Sequence, residues 1–92
     1  MAQRTTAPPN RRLNGATVAA LRGALGIAQA SLAARCEISA PYLSQVESGM
    51  YQPGADVVRR LATELGVELD AITYPWHGDV KVTAPEPAQA AS

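Results

Sequence analysis

The side chains best suited to chemistry in this sequence lie on one side of the stretch from residue 39 to residue 48. With helical steps of 100°, that side carries only small or neutral residues, namely Ala40, Pro41, Ser44, Gln45 and Ser48. Gln45 is the one side chain among them that can pair with an adenine edge through two hydrogen bonds. Ala40 and Pro41 offer apolar contacts suited to a thymine methyl group. The alternative is an ordinary solvated helix face, because small polar faces are common.

Two short helices separated by a tight turn are needed to position this face. The first is predicted over residues 29–35, and the second follows the N-cap Ser39 and ends at Gly49. Apolar residues are spaced so that they meet in one small core, namely Ile27, Leu32, Cys36, Ile38, Leu43 and Val46. This is the helix-turn-helix pattern, in which the second helix enters the major groove of double-stranded DNA.

Three further helices complete a predicted domain over residues 14–74. The first helix of the chain follows the N-cap Asn14 and runs to about Leu25. The fourth helix covers residues 55–65, and a short fifth helix covers residues 69–73. We therefore expect an all-α, compact five-helix fold.

The segments on either side of this domain are predicted to be tails. Residues 1–13 are polar and lack periodicity, so we expect a flexible arm there. Residues 75–92 form a C-terminal tail whose Pro- and Ala-rich end is expected to be disordered. Within this tail Val80 and Val82 alternate with polar residues, which is compatible with a short strand over residues 79–83.

The charges are unevenly distributed, although the formal net charge is zero. The first 36 residues hold five arginines and no acid, whereas residues 37–92 hold three cations and eight acids. We therefore predict that the arm is basic and contacts DNA phosphates through Arg4, Arg11 and Arg12. The alternative is that these arginines are ordinary solubility charges.

No pattern in the sequence predicts catalysis or a metal site, so we expect neither an enzyme nor a cofactor. There is no nucleophile–base arrangement, glycine-rich phosphate loop or paired-carboxylate motif. The single cysteine, Cys36, is expected to be a small buried core residue, and the lone histidine has no partner for binding a metal. Without a membrane-length apolar run or a signal peptide, the protein is expected to be cytoplasmic and not to associate with membranes.

From about residue 18 to residue 72 the sequence resembles the lambda-repressor-like family (Cro/cI-type, or XRE) of helix-turn-helix DNA-binding proteins. The matching pieces include Gly26-Ile27-Ala28-Gln29, Tyr42-Leu43-Ser44-Gln45-Val46-Glu47-Ser48-Gly49 and Leu61-Ala62-Thr63-Glu64-Leu65-Gly66-Val67. Their combined spacing is far more specific than any one piece. The resemblance implies a five-helix bundle that binds DNA, usually as a homodimer on a two-fold-related site.

The resemblance also implies roles for individual residues. It implies phosphate contacts at Gln29, Ser39 and Ser48, and a further role for Gln29 in bracing the third helix. It implies contacts with bases or their flanking backbone at Ala40, Pro41, Ser44 and Gln45. Arg22 and Glu47 match a buried or half-buried ion pair that ties the first helix to the third.

Several positions depart from the family pattern. Ala28 replaces the usual Ser or Thr cap of the second helix, and Gly54 replaces the usual Ser cap of the fourth. Glu37 stands where the turn usually has Gly, so a left-handed backbone there would be slightly strained. The loop over residues 50–53 lacks the Lys or Arg often found there. These departures predict weak non-specific DNA binding by the folded body, for which the basic arm compensates.

The preferred interpretation is a sequence-specific DNA-binding transcriptional regulator that acts as a repressor. Two alternatives remain open. One is the antitoxin of a toxin–antitoxin pair, which uses the same fold and adds a toxin-binding tail. The other is a protein-interaction module that has kept the fold and lost DNA binding. The expected partners are double-stranded DNA and a second copy of the chain, with a protein partner under either alternative.

Dimerisation is predicted through the C-terminal part of the chain. A single small domain can hardly bury all of the apolar residues there, namely Leu69, Ile72, Tyr74, Trp76, Val80 and Val82. The strand-like residues 79–83 could also pair with their two-fold copy. The alternative is a monomer in which Tyr74 and Trp76 fold back onto the helices.

Overall fold

Five helices and two short strands make up residues 10–84, the part of the chain that the computed structural model describes. In chain order they are β1 (Asn10–Leu13), α1 (Gly15–Ala24), α2 (Gln29–Arg35), α3 (Ala40–Glu47), α4 (Ala55–Leu65), α5 (Leu69–Ile72) and β2 (Thr73–Trp76). The prediction of five helices is confirmed, and α2 and α4 have the predicted bounds. The fold is mostly helical but not all-α, because β1 and β2 form a small sheet.

Local capping interactions define the helix ends that the sequence predicted. Asn14 Oδ1 accepts a hydrogen bond from the N–H of Thr17, and Ser39 Oγ accepts one from the N–H of Tyr42, both at 3.1 Å. The end of α4 is marked by Gly66, whose φ of 72° lies in the left-handed region that favours glycine. These ends depend only on residues within one turn, which is why the sequence shows them.

The sheet corrects the prediction of a flexible arm up to residue 13. β1 pairs with β2 in antiparallel register, with Leu13 opposite Thr73. Residues 10–13 are therefore part of the folded domain, because the sheet supplies partners for their backbone groups. Arg4 and the rest of residues 1–9 lie outside the described residues.

The prediction of a strand over residues 79–83 is wrong. Residues 77–84, called the C-terminal segment below, follow β2 without regular secondary structure. Val80 and Val82 line a cleft beside β1 and α4. Alternating residues form a strand only where a partner strand pairs with their backbone groups, and the sheet of residues 10–84 consists of β1 and β2 alone.

A buried glutamine fixes both terminal segments to the rest of the fold. Gln52 Nε2 donates to the carbonyl of Leu13 at 3.1 Å, and its Oε1 accepts from the N–H of Leu13 at 3.0 Å. The backbone carbonyl of Gln52 accepts from the N–H of Thr83 at 2.6 Å. These bonds satisfy buried backbone groups that would otherwise cost about 1–3 kcal/mol each. In the sequence, residues 50–54 indicate only a loop, so this role of Gln52 is visible only in the structure.

The hydrophobic core lies between the helices and is built mainly from aliphatic side chains. Its most deeply buried members are Val18, Leu32, Cys36, Leu43, Val46, Leu61 and Ile72. Burial, assisted by the nearby Glu64 carboxylate, raises the pKa of the Cys36 thiol to about 11, so the thiol is protonated at neutral pH. No single helix in residues 10–84 is long and apolar enough to span a membrane, and α1 and α2 reach that length only together, across a bend of 111°.

Candidate nucleic-acid interface

Helix α3 has one face in the core and one face turned outward. Tyr42, Leu43 and Val46 are buried on the inner face. Pro41 lies in the first turn, where the missing N–H removes no intrahelical hydrogen bond. On the outer face Pro41, Ser44 and Ser48 are exposed, while Ala40 and Gln45 are half-buried.

Hydrogen bonds to its backbone carbonyl hold Gln45 in place, and its side chain lines a surface cleft. Its carbonyl accepts hydrogen bonds from the N–H groups of Met50 and Tyr51 at 3.0 and 3.2 Å, so the loop after α3 folds back onto it. The cleft is also lined by Pro41 and Tyr42. Among the hydrogen bonds within residues 10–84, none uses the Gln45 amide. That amide can therefore serve an external donor–acceptor pair.

An ion pair between α1 and α3 removes the one acidic side chain of α3 from the outer face. Arg22 Nε lies 2.7 Å from Glu47 Oε2, and Arg22 Nη2 donates to Glu47 Oε1 at 3.1 Å. The side chains are only 20% and 7% exposed, respectively. Hydrogen bonding to Glu47 raises the pKa of the Arg22 guanidinium, against the opposing effect of burial. The structure thus brings together the two residues that the resemblance paired.

Helix α2 is tied to the same carboxylate. Gln29 Nε2 donates to Glu47 Oε1 at 2.9 Å, and Arg22 Nη1 donates to the carbonyl of Ile27 at 2.9 Å. Glu47 therefore joins α1, α2 and α3 through three hydrogen bonds. This geometry supplies the bracing role expected of Gln29, and the second N–H of its Nε2 remains available to donate to a phosphate.

Ser39 and Ser48, the two serines expected to contact phosphates, also form hydrogen bonds within the protein. Ser39 caps α3 through its Oγ. Ser48 Oγ donates to the carbonyl of Gln45 at 2.9 Å and lies 3.4 Å from the N–H of Met50. Each hydroxyl thus lies at one end of the outer face of α3, with its rotation limited by a backbone partner.

The two arginines of β1 point to opposite sides, as neighbouring residues of a strand must. Arg11 donates from Nε to Thr73 Oγ1 at 2.8 Å and lies 3.7 Å from Asp70 Oδ1, beside α5. Arg12 stacks over the ring of Trp76, with its guanidinium carbon 4.8 Å from the ring centroid. The phosphate contacts predicted for Arg11 and Arg12 therefore lie on opposite sides of β1, one beside α5 and the other beside Trp76.

Comparison with known proteins agrees with this geometry. A family model described as helix-turn-helix matches residues 18–72, which is more than half of the chain. The chain belongs to the helix-turn-helix family. This confirms the lambda-repressor-like (XRE) resemblance that the sequence indicated.

Two relatives and one solved structure show how far the helix-turn-helix likeness extends. Uncharacterised HTH-type transcriptional regulators from two strains of Mycobacterium tuberculosis, CDC 1551 and H37Rv, are each 36% identical to the chain over 58 residues. The match covers 63% of this chain and 41% of each relative, so it spans less than half of those proteins. The crystal structure of the clp gene regulator ClgR from Corynebacterium glutamicum aligns with a TM-score of 0.58 at 25% identity, over 60% of this chain and 58% of that chain.

The departures from the helix-turn-helix family pattern are visible in the backbone. Ala28 and Gly54 provide no side-chain hydrogen bond to the helices that they precede. Glu37, between α2 and α3, has a φ of 62° and is the one non-glycine residue with a left-handed backbone in residues 10–84. Its position in the turn forces that conformation, which costs an L-residue about 1 kcal/mol or more.

Replacing Glu37 with glycine is expected to raise the free energy of unfolding by about 1 kcal/mol, because glycine adopts positive φ without strain. The change also removes the Glu37–Arg60 contact of 3.5 Å, but both side chains are largely exposed and such pairs contribute little. Urea denaturation measures the effect. Glu37→Ala is the matched control, since it removes the same carboxylate and keeps the strain. Equal stability of the two variants would show that the turn is not strained.

The six residues predicted for dimerisation differ in how far they are exposed. Ile72 is fully buried in the core, and this corrects its assignment to a dimer surface, because it cannot reach a partner. The exposed members are Leu69, Tyr74 and Val82, at 42%, 37% and 58%. Trp76 and Val80 are half-buried. Trp76 packs edge-on against Tyr74, with ring centroids 6.3 Å apart.

Proposed function

We propose that this protein is a sequence-specific DNA-binding transcriptional regulator of the cytoplasm that acts as a repressor, with α3 as its recognition helix. The observation that supports this best is the outer face of α3, which has small side chains and one unengaged amide, at Gln45. A helix about 10–12 Å in diameter fits the major groove, which is about 12 Å wide. The likeness to HTH-type transcriptional regulators supports the same function.

The inward position of Glu47 makes this face suitable for DNA. A carboxylate on the outer face would oppose the DNA phosphates and weaken binding. Here the carboxylate is neutralised by Arg22, and the pair is shielded from solvent. The same contacts fix the orientation of α3 relative to α1 and α2, so little ordering is needed when DNA binds.

We also propose that two copies bind one site. Two-fold-related copies place their recognition helices about 34 Å apart, on one face of the duplex. The exposed Leu69 and Val82, which line one cleft beside β1, support a self-complementary contact on that side of the small sheet. A dimer bound in this way excludes other proteins from that stretch of DNA, which is the simplest route to repression.

Replacing Gln45 with alanine is expected to weaken binding to the preferred DNA site by about 1–3 kcal/mol and to relax the preference at one base pair. The reason is the loss of the one long polar side chain on the outer face of α3. The preferred site is first obtained by selecting bound fragments from a random DNA pool with the wild-type protein. The affinities of wild type and variant are then measured on that site and on its single-base variants.

Thr63→Ala, an exposed change on α4, is the control and should leave both affinity and preference unchanged. A Gln45→Ala variant that keeps the wild-type preference would show that Gln45 does not read a base. A wild-type protein that selects no sequence and shows no fall in DNA affinity with rising salt would contradict DNA binding as the function.

A further inference from the structure

Two cationic side chains from opposite ends of the described chain share one cleft beside the recognition helix. The cleft is lined by Arg12 of β1, by Met50 of the loop after α3, and by Lys81 and Thr83 of the C-terminal segment. Thr83 also lines the neighbouring cleft that contains Gln45. The two clefts therefore share Thr83, and the cationic one is the neighbour of the cleft that contains Gln45 of α3.

The part of the chain that carries Lys81 is held at both ends. Thr83 donates its N–H to the carbonyl of Gln52 at 2.6 Å and accepts a hydrogen bond from the hydroxyl of Tyr42 through its own carbonyl. On the other side Trp76 Nε1 donates to the carbonyl of Asp79 at 3.2 Å. The lysine between these anchors thus has a fixed backbone and an exposed side chain.

Most cationic side chains in residues 10–84 form ion pairs with carboxylates of the same chain. Four arginines form ion pairs at 3.7 Å or less, namely Arg11, Arg22, Arg59 and Arg60. Within residues 10–84 the cations in no such pair are Arg12, Arg35 and Lys81. Two of these three share the cleft beside α3. The Nε of Arg12 is also buried without a hydrogen-bond partner among the described residues.

We propose that Arg12 and Lys81 form a phosphate clamp, which binds the DNA backbone that borders the major groove beside α3. The inference rests on the proposed function, since it requires α3 in the groove. A recognition helix is about as wide as the major groove, so the elements that flank it lie against the phosphates. The loop over residues 50–53 carries no cation of its own, and the clamp supplies the positive charge there. Asp79 lines the same cleft, and its negative charge weakens the attraction of the clamp for phosphate.

The test compares the salt dependence of binding to a duplex of random sequence, between about 50 and 200 mM salt. Arg12→Gln and Lys81→Gln remove one charge each. Each variant is expected to reduce the slope of log affinity against log salt by about 0.9, and the double variant by about twice that. Asp79→Asn is expected to raise the affinity several-fold at the lowest salt, because it removes the opposing charge from the same cleft.

Two controls separate the clamp from general charge and from folding. Arg59→Gln removes an exposed cation that lines a different cleft, beside α4, and should leave the slope unchanged. Arg12→Lys keeps the charge and loses the guanidinium that stacks on Trp76, so it should restore the slope. Lys81→Gln disturbs no side-chain hydrogen bond or ion pair within residues 10–84 and remains informative if Arg12→Gln unfolds.

The outcomes distinguish the clamp from the proposed function. Wild-type protein that binds DNA with a salt-dependent affinity, and a Lys81→Gln variant with the same slope, would overturn the clamp alone. Wild-type protein without salt-dependent DNA binding would overturn the proposed function. A reduced slope in Lys81→Gln and in Arg12→Gln, with an unchanged slope in Arg59→Gln, supports the clamp.

Discussion

Replacing Glu47 with alanine is expected to lower the free energy of unfolding by about 3 kcal/mol, the low end of what breaking a buried ion pair costs. The carboxylate is 7% exposed and accepts hydrogen bonds from Arg22 and Gln29. Its removal leaves a guanidinium that is only 20% exposed without its counter-charge. Because that guanidinium retains some solvent contact, the cost stays near the lower limit. Urea denaturation of the two proteins measures the difference.

A double-mutant cycle isolates the pair itself. Arg22→Met strands the Glu47 carboxylate and is expected to be destabilising as well, whereas Arg22→Met combined with Glu47→Ala should recover part of the loss. Asp56→Ala is the control, since it removes an exposed ion pair with Arg59 and should cost less than about 1 kcal/mol. Strictly additive losses in the cycle would mean that Arg22 and Glu47 are not coupled.

Replacing Gly15 with alanine is expected to destabilise the fold by about 3 kcal/mol, the upper end of what overpacking a well-packed site costs. A Cβ at Gly15 would lie 2.0 Å from the carbonyl oxygen of Val46 and 3.0 Å from that of Glu47. Both are backbone atoms, so a side-chain rotation cannot relieve the contact. The ends of α1 and α3 would have to separate, which also strains the ion pair with Arg22.

The matched control is the same substitution later in α1. Gly23 is exposed, and a Cβ there would meet no atom within 4 Å. Gly23→Ala is therefore expected to raise the free energy of unfolding by about 0.5–1 kcal/mol, because alanine is the better helix former. Opposite signs for two Gly→Ala changes in one helix are the expected result in urea denaturation. Equal, small effects would show that α1 and α3 are not in close contact at Gly15.

The helical framework follows from patterns that lie within a few residues of one another. Helix α4 has its predicted bounds because its apolar spacing and the closing Gly66 are local signals. The outer face of α3 follows in the same way from 100° steps after the cap Ser39. The family was also recognisable from the sequence, since the spacing of its motifs is local. No local pattern relates residues that are 25 positions apart. The Arg22–Glu47 pair was therefore predicted only through that resemblance.

The placement of the terminal segments depends on contacts between residues that are far apart in the chain. Arg11 and Thr73 are 62 residues apart, and Leu13 and Gln52 are 39 apart. A four-residue polar segment such as β1 has no strand signal of its own. It becomes a strand only where the packed helices present β2 and a buried amide as hydrogen-bond partners. The opposite directions of Arg11 and Arg12 follow from that pairing, and so does the cleft that places Arg12 beside the recognition helix.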